Sequence, residues 1–143
     1  VEAGALGRKA GRGFYVHEDG KSSPNPEALA IIEEERAAAG IAQRTFSPDE
    51  IVARYMTAMI AEAARVVEDG TALRPVDVDA VLLFGYGFPR FRGGPLHYAD
   101  TLGAAEVVAR IERYAEEDPH FWRVPPILAD MARSGRSFAD LDD

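Results

Sequence analysis

The sequence has no cysteine. That excludes disulfides, thiolate nucleophiles and most structural zinc sites within these residues, and fits an intracellular, cytoplasmic location. Histidine is scarce: there are three, His17, His97 and His120, and no two are four residues apart, the spacing that sets a metal-ligand pair on one helix face. No metal site is expected. Positive charge is also short, 16 Lys and Arg against 24 Asp and Glu. The net charge of −8 would repel a phosphate backbone at long range, so no nucleic-acid partner is expected. No run approaches the roughly 18 apolar residues of a membrane-spanning helix, so no membrane span is expected. The start has neither Met nor an apolar signal segment; Gly4, Gly7, Gly11 and Gly13 are interspersed with Arg8, Lys9 and Arg12. The opening reads as the middle of a glycine-rich loop, and the chain as a piece of something longer.

What is present is ordinary for a globular chain: 143 residues, 47% apolar and 28% charged, enough for one compact domain plus a tail or linker. Phe14-Tyr15-Val16 before Asp19-Gly20 predicts a short extended piece, too small to start a sheet. Asn25 and Pro26 predict the cap and first turn of a helix to about Ala39, with the Glu33-Glu34-Glu35 run as its solvated face. Ser47-Pro48-Asp49-Glu50 is the strongest helix start, a capping serine followed by a first-turn proline and a glutamate three residues on. From it Ile51, Tyr55, Met59 and Val66, flanked by Val52, Met56 and Ala63, recur at helical spacing, which predicts a central core helix ending at Gly70. Shorter helices are expected over Val76–Phe84, with Asp77 and Asp79 favouring its dipole, Pro95–Leu102, Ala104–Glu117 and Pro126–Arg133, the last of the series. No segment shows convincing strand alternation, so the class is all-α.

Chemistry-bearing side chains are few. His97, Tyr98 and Asp100 could form an acid–base group, but His97 and Asp100 are spaced i, i+3 and such a pair more often braces its helix. Glu62 lies on the apolar stripe of the long helix; a carboxylate there is expected to be buried and to accept backbone N–H groups of the loop between Gly85 and Gly94. Arg90 and Arg92, with Phe88 and Phe91, could hold a phosphate and stack an adenine, against the alternative of a loop packed by its aromatics with solvated arginines. Arg8, Lys9 and Arg12 form a second basic patch, suited to a docking contact or a ligand.

Two stretches carry a resemblance. Gly7-Arg8-Lys9-Ala10-Gly11-Arg12-Gly13-Phe14-Tyr15 is one. The other runs from Ile51 through Glu62, Arg74-Pro75, Asp77-Val78-Asp79, Gly85-Tyr86-Gly87-Phe88-Pro89 and Gly93-Gly94-Pro95 to Ala99-Asp100. Their order resembles the C-terminal region of the 3-hydroxyacyl-CoA dehydrogenase family as found in multifunctional fatty-acid oxidation proteins. The resemblance implies a compact helical domain of the 6-phosphogluconate dehydrogenase C-terminal-like type over 45–143. Residues 1–44 would be the tail of a preceding helical domain and a linker with one helix. It further implies a parent that oxidises 3-hydroxyacyl-CoA to 3-oxoacyl-CoA with NAD, alongside an enoyl-CoA hydratase, in lipid β-oxidation.

In that frame Glu62, Gly85, Gly87, Pro89, Gly93, Gly94, Pro95 and Asp100 are structural. Arg90, Arg92 and Phe88 are the candidate acyl-CoA contacts, and no catalytic or cofactor-binding residue is expected in this chain. The Gly4–Gly13 cluster follows no strand and so does not form the dinucleotide-binding unit. The implied partners are sister domains of the parent chain, acyl-CoA through the parent, and a second copy of the isolated chain. Two rival readings are a self-sufficient small enzyme built on His97 and an independent helical protein-interaction module.

Overall fold

A computed structural model describes residues 4–142, in two compact units, Val1–Thr45 and Phe46–Asp143. In the first unit a 3-10 turn, Arg8–Ala10, precedes strand β1 (Tyr15–Glu18), strand β2 (Lys21–Pro24) and helix α1 (Pro26–Ala38). The expected lone extended piece is in fact half of an antiparallel hairpin, with Tyr15 opposite Pro24 and Glu18 opposite Lys21. The reason lies in the turn: Asp19 and Gly20 both take positive φ, 50° and 74°, the pairing that matches strand twist in a two-residue hairpin loop. The partner strand, Lys-Ser-Ser-Pro, is exposed throughout and carries no apolar alternation to announce it. Asn25 then joins hairpin and helix. Its side-chain oxygen accepts from the Glu27 amide at 3.1 Å, and its amide group donates to the Gly13 carbonyl at 2.8 Å.

The second unit packs five helices, α2 (Pro48–Glu68), α3 (Pro75–Gly85), α4 (Pro95–Leu102), α5 (Ala104–Ala115) and α6 (Pro126–Ser134), with 3-10 turns at Arg90–Arg92 and Phe138–Leu141. Ser47 caps α2 as its sequence predicts, accepting from the Glu50 amide at 3.2 Å. Ile60, Ala64, Leu96, Val107, Ile111, Leu128 and Phe138 form the core, and Phe138 brings in a C-terminal turn beyond the last expected helix. The sequence does contain that turn's start signal: Ser137 and Asp140 form a capping box.

The core face of α2 differs from the expected stripe. Buried on this helix are Met56, Thr57, Ile60, Ala61, Ala63 and Ala64, whereas Ile51, Val52 and Tyr55 are exposed. The bulky stripe exists but faces outward. Small side chains at 57, 61 and 64 let α4 and α6 approach closely, so the inward face is the one with the least volume, and the larger residues occupy the adjoining arc of the helix.

Candidate functional site

The segment from Gly85 to Gly94 joins α3 to α4, and its closure depends on a carboxylate of α3. Helix α4 begins at Gly94-Pro95, so neither residue offers a capping side chain. The first free amides need an acceptor from elsewhere. Asp79 supplies it: Oδ1 accepts from Leu96 N at 2.8 Å and Oδ2 from His97 N at 2.9 Å. Burial pushes the Asp79 carboxyl above its ordinary 3.8, while the two backbone N–H groups and nearby His97 oppose that rise. Gly94 sits at φ 115° with a Cβ position that would overlap the Asp79 carboxyl group, so glycine is required on both counts. A Cβ on Gly93 would likewise overlap the His97 ring, which covers it.

Glu62 does not play this part. It is exposed, and its carboxylate pairs with Arg65 at 3.0 Å instead of reaching the loop. The physical reason is the rotation of α2 already described: the stripe carrying Tyr55, Met59, Glu62 and Val66 is turned away from the core. The buried carboxylate that the sequence predicts on loop amides at Glu62 is instead Asp79. The signal for Asp79 was a helix start at Gly-Pro without a cap, which calls for an acceptor from outside its own helix.

Other members of the group also meet backbone. Asp100 accepts from Phe138 N at 2.8 Å and Ala139 N at 3.0 Å, starting the C-terminal turn and not bracing His97. Asp142 closes the circuit by accepting from Val76 N at 2.8 Å at the start of α3. Between these carboxylates lies a cavity of about 290 Å³, bordered by Ala80, Phe84, His97 and Phe138. His97 itself is exposed. Among the described residues, no group of three His, Cys, Asp or Glu lies close enough together to hold a metal ion.

Of the three candidate acyl-CoA contacts, Phe88 is buried and donates its amide to the Leu82 carbonyl at 3.1 Å, so it is not free to stack on an adenine. Arg92 lies over the Tyr98 ring at 4.3 Å and the Phe91 ring at 5.2 Å. Arg90 lies 5.9 Å from the centre of the Phe84 ring. The aromatics here serve the arginines first. Pro89 starts the turn between them, Gly87 takes φ 71°, Gly85 ends α3 and Pro95 is buried in the first turn of α4.

A larger concavity, about 580 Å³, opens between α2 and α3, walled by Met59, Ala63, Val66, Leu73, Val78 and Val81. Glu62 and Asp77 also line it. Asp77 is held bidentately by Arg74 at 2.7 and 3.1 Å, which lowers its carboxyl from the ordinary 3.8. The outward stripe of α2 is thus one wall of an apolar groove.

What this geometry defines is a helical domain whose interior carboxylates are committed to closing its own loops and whose open face is apolar. Residues 51–139 match the model of the 3-hydroxyacyl-CoA dehydrogenase C-terminal domain, and the chain belongs to that family. It is 37% identical over 138 residues, 92% of its own length, to the peroxisomal bifunctional enzyme of Danio rerio. It spans 19% of that protein.

Proposed function

We propose that this chain is a noncatalytic packing domain of a fatty-acid oxidation protein. The whole protein would oxidise 3-hydroxyacyl-CoA to 3-oxoacyl-CoA with NAD and carry an enoyl-CoA hydratase as its second activity. The observation that carries this reading is the outward apolar stripe of α2, which with α3 forms the groove above: a surface of that kind suits a sister domain or, in the isolated chain, a second copy. The carboxylates that could have done acid–base work, Asp79 and Asp100, are instead occupied by backbone amides.

NAD does not fit the residues present. The Gly4–Gly13 cluster closes on itself: Gly7 N donates to Arg12 O at 2.8 Å, and a Cβ on Gly13 would meet the Gly7 backbone. It therefore offers no cradle for a pyrophosphate at a helix start. For acyl-CoA, Arg90 and Arg92 stay as the contact candidates and Phe88 does not. The Danio rerio relative is named peroxisomal, so a peroxisomal setting replaces the cytoplasmic one inferred from composition. Among the described residues no helix is long and apolar enough to cross a membrane. A free-standing interaction module would share the apolar groove but gives no reason for the ordered loops of this family.

The test pairs calorimetry with an NADH assay. The 143-residue chain should show no saturable NAD binding and no turnover of a 3-hydroxyacyl-CoA, while the protein from the complete reading frame turns it over. Turnover by the short chain that is lost in His97→Ala would overturn the proposal.

A further inference from the structure

Three segments that lie far apart in the sequence begin at one place. The first turn of α3, the first turn of α4 and the 138–141 turn border the same cavity of about 290 Å³, through Val76, His97 and Phe138. Neither α3 nor α4 has a capping side chain at its own start, where Arg74 and Gly94 stand. The acceptors come from each other instead. Asp79 of α3 holds the α4 amides of Leu96 and His97 at 2.8 and 2.9 Å, Asp100 of α4 holds the turn amides of Phe138 and Ala139 at 2.8 and 3.0 Å, and Asp142, just past the turn, holds the α3 amide of Val76 at 2.8 Å. These links form a closed ring. Each carboxylate is placed by a segment whose own first turn depends on the carboxylate before it, so loss of one link loosens the acceptor of the next. The 138–141 turn is the smallest member of the ring, four residues, and Phe138, 2% exposed, is its one buried side chain.

We propose that residues 137–142 are a latch on the junction of α3 and α4. They open together with the first turns of both helices, and their release loosens the loop that carries Arg90 and Arg92 and ends at Gly93-Gly94. The loop is seated on the residues that fix the start of α4: the Gly94 backbone lies against the Asp79 carboxyl group, and Gly93 lies under the His97 ring. Linkage makes the coupling reciprocal. Whatever holds 137–142 down steadies the loop, and a ligand that steadies the loop closes the latch.

Amide exchange of the 143-residue chain, resolved by NMR over a series of low denaturant concentrations, tests this. The amides of Val76, Leu96, His97, Phe138 and Ala139 should share one opening, at least about tenfold more frequent than the opening of α2 and α5. Asp142→Ala should speed exchange at Leu96 and His97, amides that Asp142 does not hold, by about tenfold, with α2 and α5 unchanged. Asp142→Asn keeps an acceptor oxygen for Val76 and should stay within about twofold of the parent chain. Asp130→Ala removes an exposed carboxylate paired with Arg133 and should leave all five amides as they were. Three results would overturn the latch: different openings for the five amides in the unsubstituted chain, acceleration in Asp142→Ala that stops at Val76 and the 138–141 turn, or acceleration that reaches α2 and α5, the sign of general destabilisation. The first is read on the unsubstituted chain and needs no variant to fold.

Discussion

The two sides of α2 differ in what they are made of and in what they face. On the inner side Thr57, Ile60, Ala61 and Ala64 are buried and mostly small; on the outer side Tyr55, Met59, Glu62 and Val66 are larger and lie open or line a groove. Hydrophobic periodicity marks both sides, since either would give a plausible stripe at helical spacing. What separates them is volume: a helix surrounded by several others buries the face that lets neighbours approach, and the bulkier residues are left on the open side.

Overpacking the inner side should have the largest effect. Ala64→Leu, at a fully buried position, should cost about 1–3 kcal/mol or more, whereas Tyr55→Ser should stay within about 0.5 kcal/mol, both read by denaturant unfolding of the 143-residue chain. Equal effects would erase the distinction between the sides.

Asp79 comes next. Asp79→Ala leaves the Leu96 and His97 amides unmet, at a cost of about 1–3 kcal/mol, with faster hydrogen exchange at the start of α4 as the local readout. Its pH dependence has a definite sign. Because the folded-state carboxyl titrates above its ordinary 3.8, the folded protein takes up this proton more readily than the unfolded chain. The group's contribution therefore rises as pH falls through the folded value, is fully present below the unfolded one, and is lost on returning upward. The penalty of Asp79→Asn should accordingly grow from pH 7 toward about pH 4. A penalty that shrinks on acidification would contradict the assignment.

Asp100→Ala should be milder, about 1 kcal/mol, because the amides of Phe138 and Ala139 lie nearer to solvent than those held by Asp79. Quenching of the single Trp, Trp122, need not change; the expected sign is faster exchange that is greatest at residues 138–141. Glu62→Ala should have the smallest effect, within about 0.5 kcal/mol, since an exposed i, i+3 pair with Arg65 contributes little.

Much of this architecture is legible in the sequence. The Ser47 cap, the Asn25-Pro26 start, the prolines opening α3 and α4 and the glycines after them place most helix boundaries, because local backbone chemistry decides those positions. The hairpin was half visible: Asp19-Gly20 signals a turn, but Lys21-Ser22-Ser23 has no pattern to mark a strand. The site was harder to read. Choosing Glu62 over Asp79 required knowing the rotation of α2 and that α4 begins without its own cap, and both follow from packing between segments distant in sequence. Phe88 misled for a related reason, since an aromatic in a loop reads as available until the loop folds over it.

If the outer face of α2 and α3 is an interface and not part of this domain's own core, loss of its bulk should destabilise only a protein in which that face is covered. The decisive measurement is thermal unfolding of the pair Leu73→Ser/Val81→Ser, two exposed residues lining the groove, in the 143-residue chain at low concentration and in the protein from the complete reading frame. The melting temperature should be unchanged in the short chain and lowered by several degrees, about 2–4 °C per kcal/mol lost in a domain of 150–250 residues, in the longer protein. The same fall in both, or none in either, would contradict it.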